Sequence, residues 1–256
     1  MRAFSFFLIL ILASCAPSQN IELATKTTPR AAALADLPGL ESFEAGARPY
    51  AERPIVAVPN FTVRSSNLKL KGRELEGKDD SYFVELGSGV ADILMSELYR
   101  SEQFRLTERM QLAEVLFEQD LGQSGRVDKA TAAEVGRITG AELLIFGSVT
   151  EFSVSTTGGG GRFFGLLGGS AEIVTARVTV DLRFVDAATA EIVAIGSSTS
   201  EASQGNVQVD VLNVIRGLQA GRTGTTIVDL AVRNAIIGAV NEGADDLFGS
   251  TRYANE

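Results

Sequence analysis

One residue of the 256 is placed for a covalent event, and it is the only cysteine. Cys15 follows Leu12, Ala13 and Ser14, small residues ahead of a thiol. Arg2 and an apolar run over residues 3–12 precede them, a run too short to span a bilayer as a mature helix. The pattern is a lipobox. A peptidase would cut before Cys15, and acyl chains, palmitate among them, would hold the mature chain to a membrane. A lone thiol is a liability in an exported protein, and acylation would consume it. Ala16, where an aspartate would signal inner-membrane retention, points to the outer membrane.

Other chemistry is conspicuous by its residue types. The chain has no histidine, which removes the commonest general base and the commonest metal ligand and makes a Ser/His/Asp set impossible. With Cys15 acylated, no thiolate or disulfide remains. The glycines 158–161 look like a phosphate cradle but lack the Lys-Ser/Thr that would follow, and no helix comes after them. Asp79, Asp80, Asp245 and Asp246 sit in polar contexts and read as solvated surface. The expectation is no enzyme, no cofactor and no metal. Net charge is −9 and the pI about 4.8, so no basic face serves nucleic acid. No second segment approaches 18 apolar residues, so any span of a membrane has to be made of β-strands.

Three segments must position whatever the chain does: a signal peptide over 1–14, a lipidated tether over 15–53 and a domain over 54–256. The tether is rich in Ala, Pro, Ser and Thr. Residues 53–61 are a short apolar run closed by Pro59 and read as a buried strand; 62–83 reads as a loop. Val90, Ile93, Leu94, Glu97 and Leu98 recur at helical spacing within 87–100. Residues 104–106 form a short strand. Thr107 caps a helix bearing Leu112, Val115 and Leu116. Asp128 caps another through Ile138, closed by Gly140. Residues 143–146 are a buried strand. The order is that of an α/β layer domain.

From 148 the period becomes two. Val149, Glu151 and Ser153 share one face, and Thr150, Phe152 and Val154 the other. Val174, Ala176, Val178, Val180, Leu182 and Phe184 form an apolar face opposite Thr175, Arg177, Thr179, Asp181 and Arg183. This is a long β-hairpin over 148–185, half-buried on a core or lipid-facing in a barrel. A second hairpin over 191–226 is carried by the strand 191–195 and by Val207, Val209 and Val211. Leu230, Ala231, Asn234, Ile237 and Val240 mark a C-terminal helix, so the body comprises 54–147 and 227–248.

The runs 104–112, 127–135 and 141–152, the tip Gly158-Gly-Gly-Gly-Arg-Phe-Phe-Gly165 and the strand–turn–strand 180–192 resemble the CsgG family, which includes the outer-membrane secretion channel for curli subunits. The resemblance covers about 55–248. It implies a periplasmic α/β layer domain with two long β-hairpins, pooled by a homo-oligomeric ring into one transmembrane β-barrel. A nonamer is the family's copy number. Phe152, Val154, Val174, Val178 and Val180 would then face outer-membrane lipid, and Glu151, Ser153, Arg177 and Asp181 the lumen. Phe163, Phe164, Leu166 and Leu167 would form the hairpin-tip girdle. Tyr82 and Phe83 stand where the family carries its constriction, or they simply pack beneath the loop. The implied function is ATP-independent secretion of curli-like or other fibre or adhesin subunits, threaded as unfolded polypeptide with accessory secretion proteins. The rival reading is a non-pore periplasmic lipoprotein that regulates or anchors cell-envelope or surface-polymer machinery.

Overall fold

The computed structural model describes residues 39–64, 66, 68–70, 80–159, 171–205, 216, 217, 219 and 227–249. Pro54 and Pro59 bracket β1 (Ile55–Ala57), which has parallel neighbours on both sides and is correspondingly apolar throughout. It pairs with β4 (Arg105–Leu106) through Ile55 and Arg105, and with β5 (Leu143–Gly159) through Val56 and Leu143. β2 (Phe61–Val63) and β3 (Leu68–Leu70) pair parallel with later stretches of β5, Phe61 opposite Gly147 and Leu68 opposite Phe152. One edge of β5 is therefore served by three short strands in succession.

The other edge carries the long strands. β5 pairs antiparallel with β6 (Ala171–Asp186) from Leu143 opposite Asp186 to Gly159 opposite Ala171, and β6 with β7 (Ile192–Gly205). The expected first hairpin is present. Its β5 faces differ from strict alternation because a register shift between Val149 and Glu151 inserts an extra residue. The bulge puts Val149 on the buried face with Phe152 and Val154.

Helix α1 (Asp80–Ser101) begins seven residues earlier than its apolar spacing suggests, with Asp80 in the first turn, where a negative charge complements the helix dipole. Phe83, Leu86, Val90, Leu94 and Leu98 form its buried stripe. Gly87 lets the helix touch the sheet: a Cβ there would lie 2.2 Å from the Phe61 carbonyl oxygen. Helix α2 (Leu112–Gln123) follows β4. The expected helix over 128–138 is absent, replaced by turns. Asp128 spends its cap locally, its Oδ1 accepting from Ala130 N at 3.0 Å and its carbonyl from Thr131 N at 3.0 Å. Gly136 then takes φ +82, which ends any helical run.

Helix α3 (Ile227–Gly249) packs on β6 and β7, buried on most of its circumference. Asn234 and Asn241, two turns apart, fasten residues 39–44 along it. Asn234 Oδ1 accepts from Glu41 N at 2.9 Å and its Nδ2 donates to Gly39 O at 2.8 Å; Asn241 does the same with Glu44 and Ser42. Residues 39–53, expected in the tether, thus belong to the body. Of the expected second hairpin, the first strand is β7, while Val207, Val209 and Val211 lie outside the described residues. Residues 216, 217 and 219 are helical, in keeping with the loss of alternation beyond Val211. The outcome is a mixed α/β fold in which α1 and α3 cover one face of a sheet of seven strands among the described residues.

Candidate functional site

The long sheet presents two unlike faces. On the inner one, Val174, Ala176, Val178, Val180, Leu182 and Phe184 are at most 3% exposed, as their alternation requires. Phe152, Val154, Val174, Val178 and Val180, expected to face lipid, lie in the core shared with α1 and α3. In the single chain they face protein. Alternation records that one face is apolar and leaves open what covers it.

The outer face is a ladder of polar pairs. Arg177 stands between Glu151 at 3.5 Å and Glu201 at 3.3 Å. Thr175 meets Ser203 and Thr179 meets Thr199, each at 2.8 Å, and Ser197 Oγ donates to Asp181 Oδ1. Side-chain exposure of 49% at Arg177 and 53% at Glu201 makes the ion pairs individually weak but leaves the whole face wettable. Glu151, Arg177 and Asp181, expected to point one way, do so. The free edge of β7 is partly closed: Asp246 and Glu242, one turn apart on α3, accept from the N–H groups of Ile195 at 3.0 Å and Ser197 at 2.6 Å.

Tyr82 and Phe83 lie in the first turn of α1 rather than in a loop. Phe83 is 8% exposed and Tyr82 partly buried, their rings 5.5 Å apart and near perpendicular. In the single chain Phe83 is buried and Tyr82 packs against the core cluster. Burial pushes the Tyr82 hydroxyl above its ordinary value, against a smaller opposing pull from Arg216. Gln219 Nε2 donates to the Tyr82 carbonyl at 3.3 Å. Phe83 also walls a cavity of about 730 Å³ between α1 and the β2–β3 region. Cys15 and the tip residues Phe163, Phe164, Leu166 and Leu167 lie outside the described residues.

A charge cluster between α1 and α3 was not singled out by sequence. Glu97 is 0% exposed; Arg100 reaches its Oε2 at 2.8 Å and Arg233 donates to its Oε1. Arg233 Nε is 3.3 Å from Asp229 Oδ1. Burial raises the Asp229 carboxyl to about 6, partly countered by Arg233 and reinforced by Glu97. The signal was available: Glu97 sits on the apolar stripe of one helix and Arg233 within an otherwise apolar one, and buried charges need each other.

The fold defines a class: a mixed α/β body carrying an extended antiparallel hairpin sheet. The model of the curli production assembly/transport component CsgG matches residues 40–250. The Neisseria meningitidis serogroup B protein NMB1126/NMB1164, which carries a lipoprotein name, is 30% identical over 196 residues, 75% of this chain and 78% of that one. The chain belongs to the CsgG family. Solved structures resemble it more distantly. The hypothetical protein CT253 of Chlamydia trachomatis shares 13% identity and a TM-score of 0.41 over 77% of this chain and 99% of its own. A PelC dodecamer from Paraburkholderia phytofirmans shares 15% and a TM-score of 0.24 over 78% and 94%.

Proposed function

We propose that this chain is an outer-membrane lipoprotein, anchored through acylated Cys15, whose copies form a ring that exports unfolded fibre or adhesin subunits without ATP. The observation that carries the reading is the hairpin sheet. Strands of 17, 16 and 14 residues extend about 46–56 Å at about 3.3 Å per residue. A transmembrane strand needs only about 9–11 residues. On β6 one face is apolar from Val174 to Phe184 and the other carries the polar pairs, the two-sided character of a barrel wall between lipid and water, although β7 adds Ser198 and Ser200 to the inner face and Ile195 to the outer. The family's role in curli assembly and transport agrees. Barrel formation would require the helices now covering Phe152, Val154, Val174 and Val178 to give way to lipid over the distal strands. Closure would satisfy every strand edge.

A second reading is favoured by one specific observation. The apolar face is already satisfied within one chain, under α1 and α3. A tethered, non-pore lipoprotein acting on envelope or surface-polymer machinery needs nothing more.

The lipidated full chain, purified from outer membranes and added to a planar bilayer, separates them. Stepwise conductance whose ion selectivity shifts in Arg177→Glu supports a pore lined by the polar ladder. Silence, with a monomer in mild detergent, transfers the assignment to the second reading.

A further inference from the structure

Helix α2 is built the wrong way round for a lone chain. Its single buried residue is Gln119, while Val115, Leu116 and Phe117 are 39%, 45% and 69% exposed. The return segment adds Val135 at 52% and Ile138 at 37%. The helix also carries Glu114, Glu118 and Asp120 with no basic residue, and none of the three has an ion-pair partner among the described residues.

The complementary surface lies elsewhere on the same chain. The cavity of about 730 Å³ is walled by Pro59, Phe61, Val63, Phe83 and Val84, and Val84 is 70% exposed. Arg64 stands on its rim and also lines an adjoining cleft with Arg183. Both arginines are exposed and have no ion-pair partner among the described residues; Asp80 is the one acid in the cavity wall.

We infer that α2 of one copy seats Phe117 and its neighbours in the Phe61–Val84 cavity of the next copy, with Glu114 and Glu118 meeting Arg64 and Arg183. The occupant is a second copy because apolar and charge complements are both present on one chain and not satisfied within it. Met110 lines the chain's own cavity, but α2 turns Gly122 toward Ala132 and Ala133 of the return segment, buries Gln119 and leaves Phe117 outside. Donor and acceptor are different surfaces, so the contact is head-to-tail, the kind that closes into a ring when its rotation allows. A stable interface covers about 800 Å² per partner, so the contact extends along the return segment through Val135 and Ile138. The rim charges set register and favour one partner orientation. This interface rests on the ring reading and supplies its subunit contact.

The test uses full-length lipidated chains in detergent. Phe117→Cys and Val84→Cys chains are co-expressed and oxidised, and the doubly substituted chain is oxidised separately; both positions are exposed, so the fold tolerates them. The expected result is a mixed cross-linked pair and, from the double variant, a ladder of multimers. Glu118→Arg and Arg64→Glu should each weaken assembly about tenfold, and together restore it. A wild-type ring without cross-link, indifferent to both reversals, overturns this interface while the ring reading stands. A disulfide closed within one chain also overturns it. A wild-type monomer overturns the ring reading and this contact with it.

Discussion

Glu97 is buried completely with two arginines on it, one from its own helix and Arg233 from α3. Such a pair is not a large net gain over apolar packing, but removing one partner strands the other charge. Glu97→Ala is expected to cost about 3–5 kcal/mol, read as a lowered urea midpoint of the full chain. Asp229 carries the pH dependence of the same cluster. Its carboxyl titrates near 6 in the folded chain against an ordinary value of 3.8. A raised carboxyl favours the folded state when protonated, so this contribution is complete below about 3.8 and is lost as pH rises through 6. Its size is on the order of 2–3 kcal/mol. Subtracting the stability profile of Asp229→Asn from that of the native chain between pH 3.5 and 7, a window set by that shift, should show the decline. A flat difference would remove Asp229 from the account. Both carboxylates face Arg233, and Arg100 completes the set.

Between elements, α3 lies backbone to backbone on β7 at Gly196. A Cβ on Gly196 would stand 1.9 Å from the Ala239 carbonyl oxygen, whereas one on Gly205 of the same strand meets nothing within 4 Å. Gly196→Ala should therefore destabilise by about 1–3 kcal/mol, and Gly205→Ala by much less, in parallel thermal unfolding scans. Equal effects would mean that α3 does not hold this distance. Helix α1 was legible from Val90 to Leu98 because a packed helix repeats its apolar residues every three or four. Its first turn was not, because Tyr82 and Phe83 follow a charged stretch that shows no period. The turns at 128–138 show the converse. The spacing allowed a helix, and Asp128 with Gly136 prevented one through hydrogen bonding and backbone angle that periodicity does not measure.

For the whole molecule, membrane attachment and assembly are separable. Cys15→Ser should release the chain from the membrane fraction on high-salt washing, because lipid rather than charge would hold a protein of net charge −9. Retention of that variant would show that strands or partners suffice. Sequence alone determined the long hairpin, the main stretch of α1, the C-terminal helix and the absence of histidine chemistry, because alternation, helical period and residue type are local properties; it missed β3, placed β2 in a loop and supplied a helix at 128–138 that does not form. It did not register that Asn234 and Asn241 strap residues 39–44 to the body, since that contact joins positions nearly two hundred residues apart. Nor could it decide what covers Val174, Val178 and Val180. An apolar strand face satisfies its pattern equally against lipid or against a helix, and only the tertiary structure brings α3 onto it, through the small residues Gly196 and Ala239 that let backbone meet backbone.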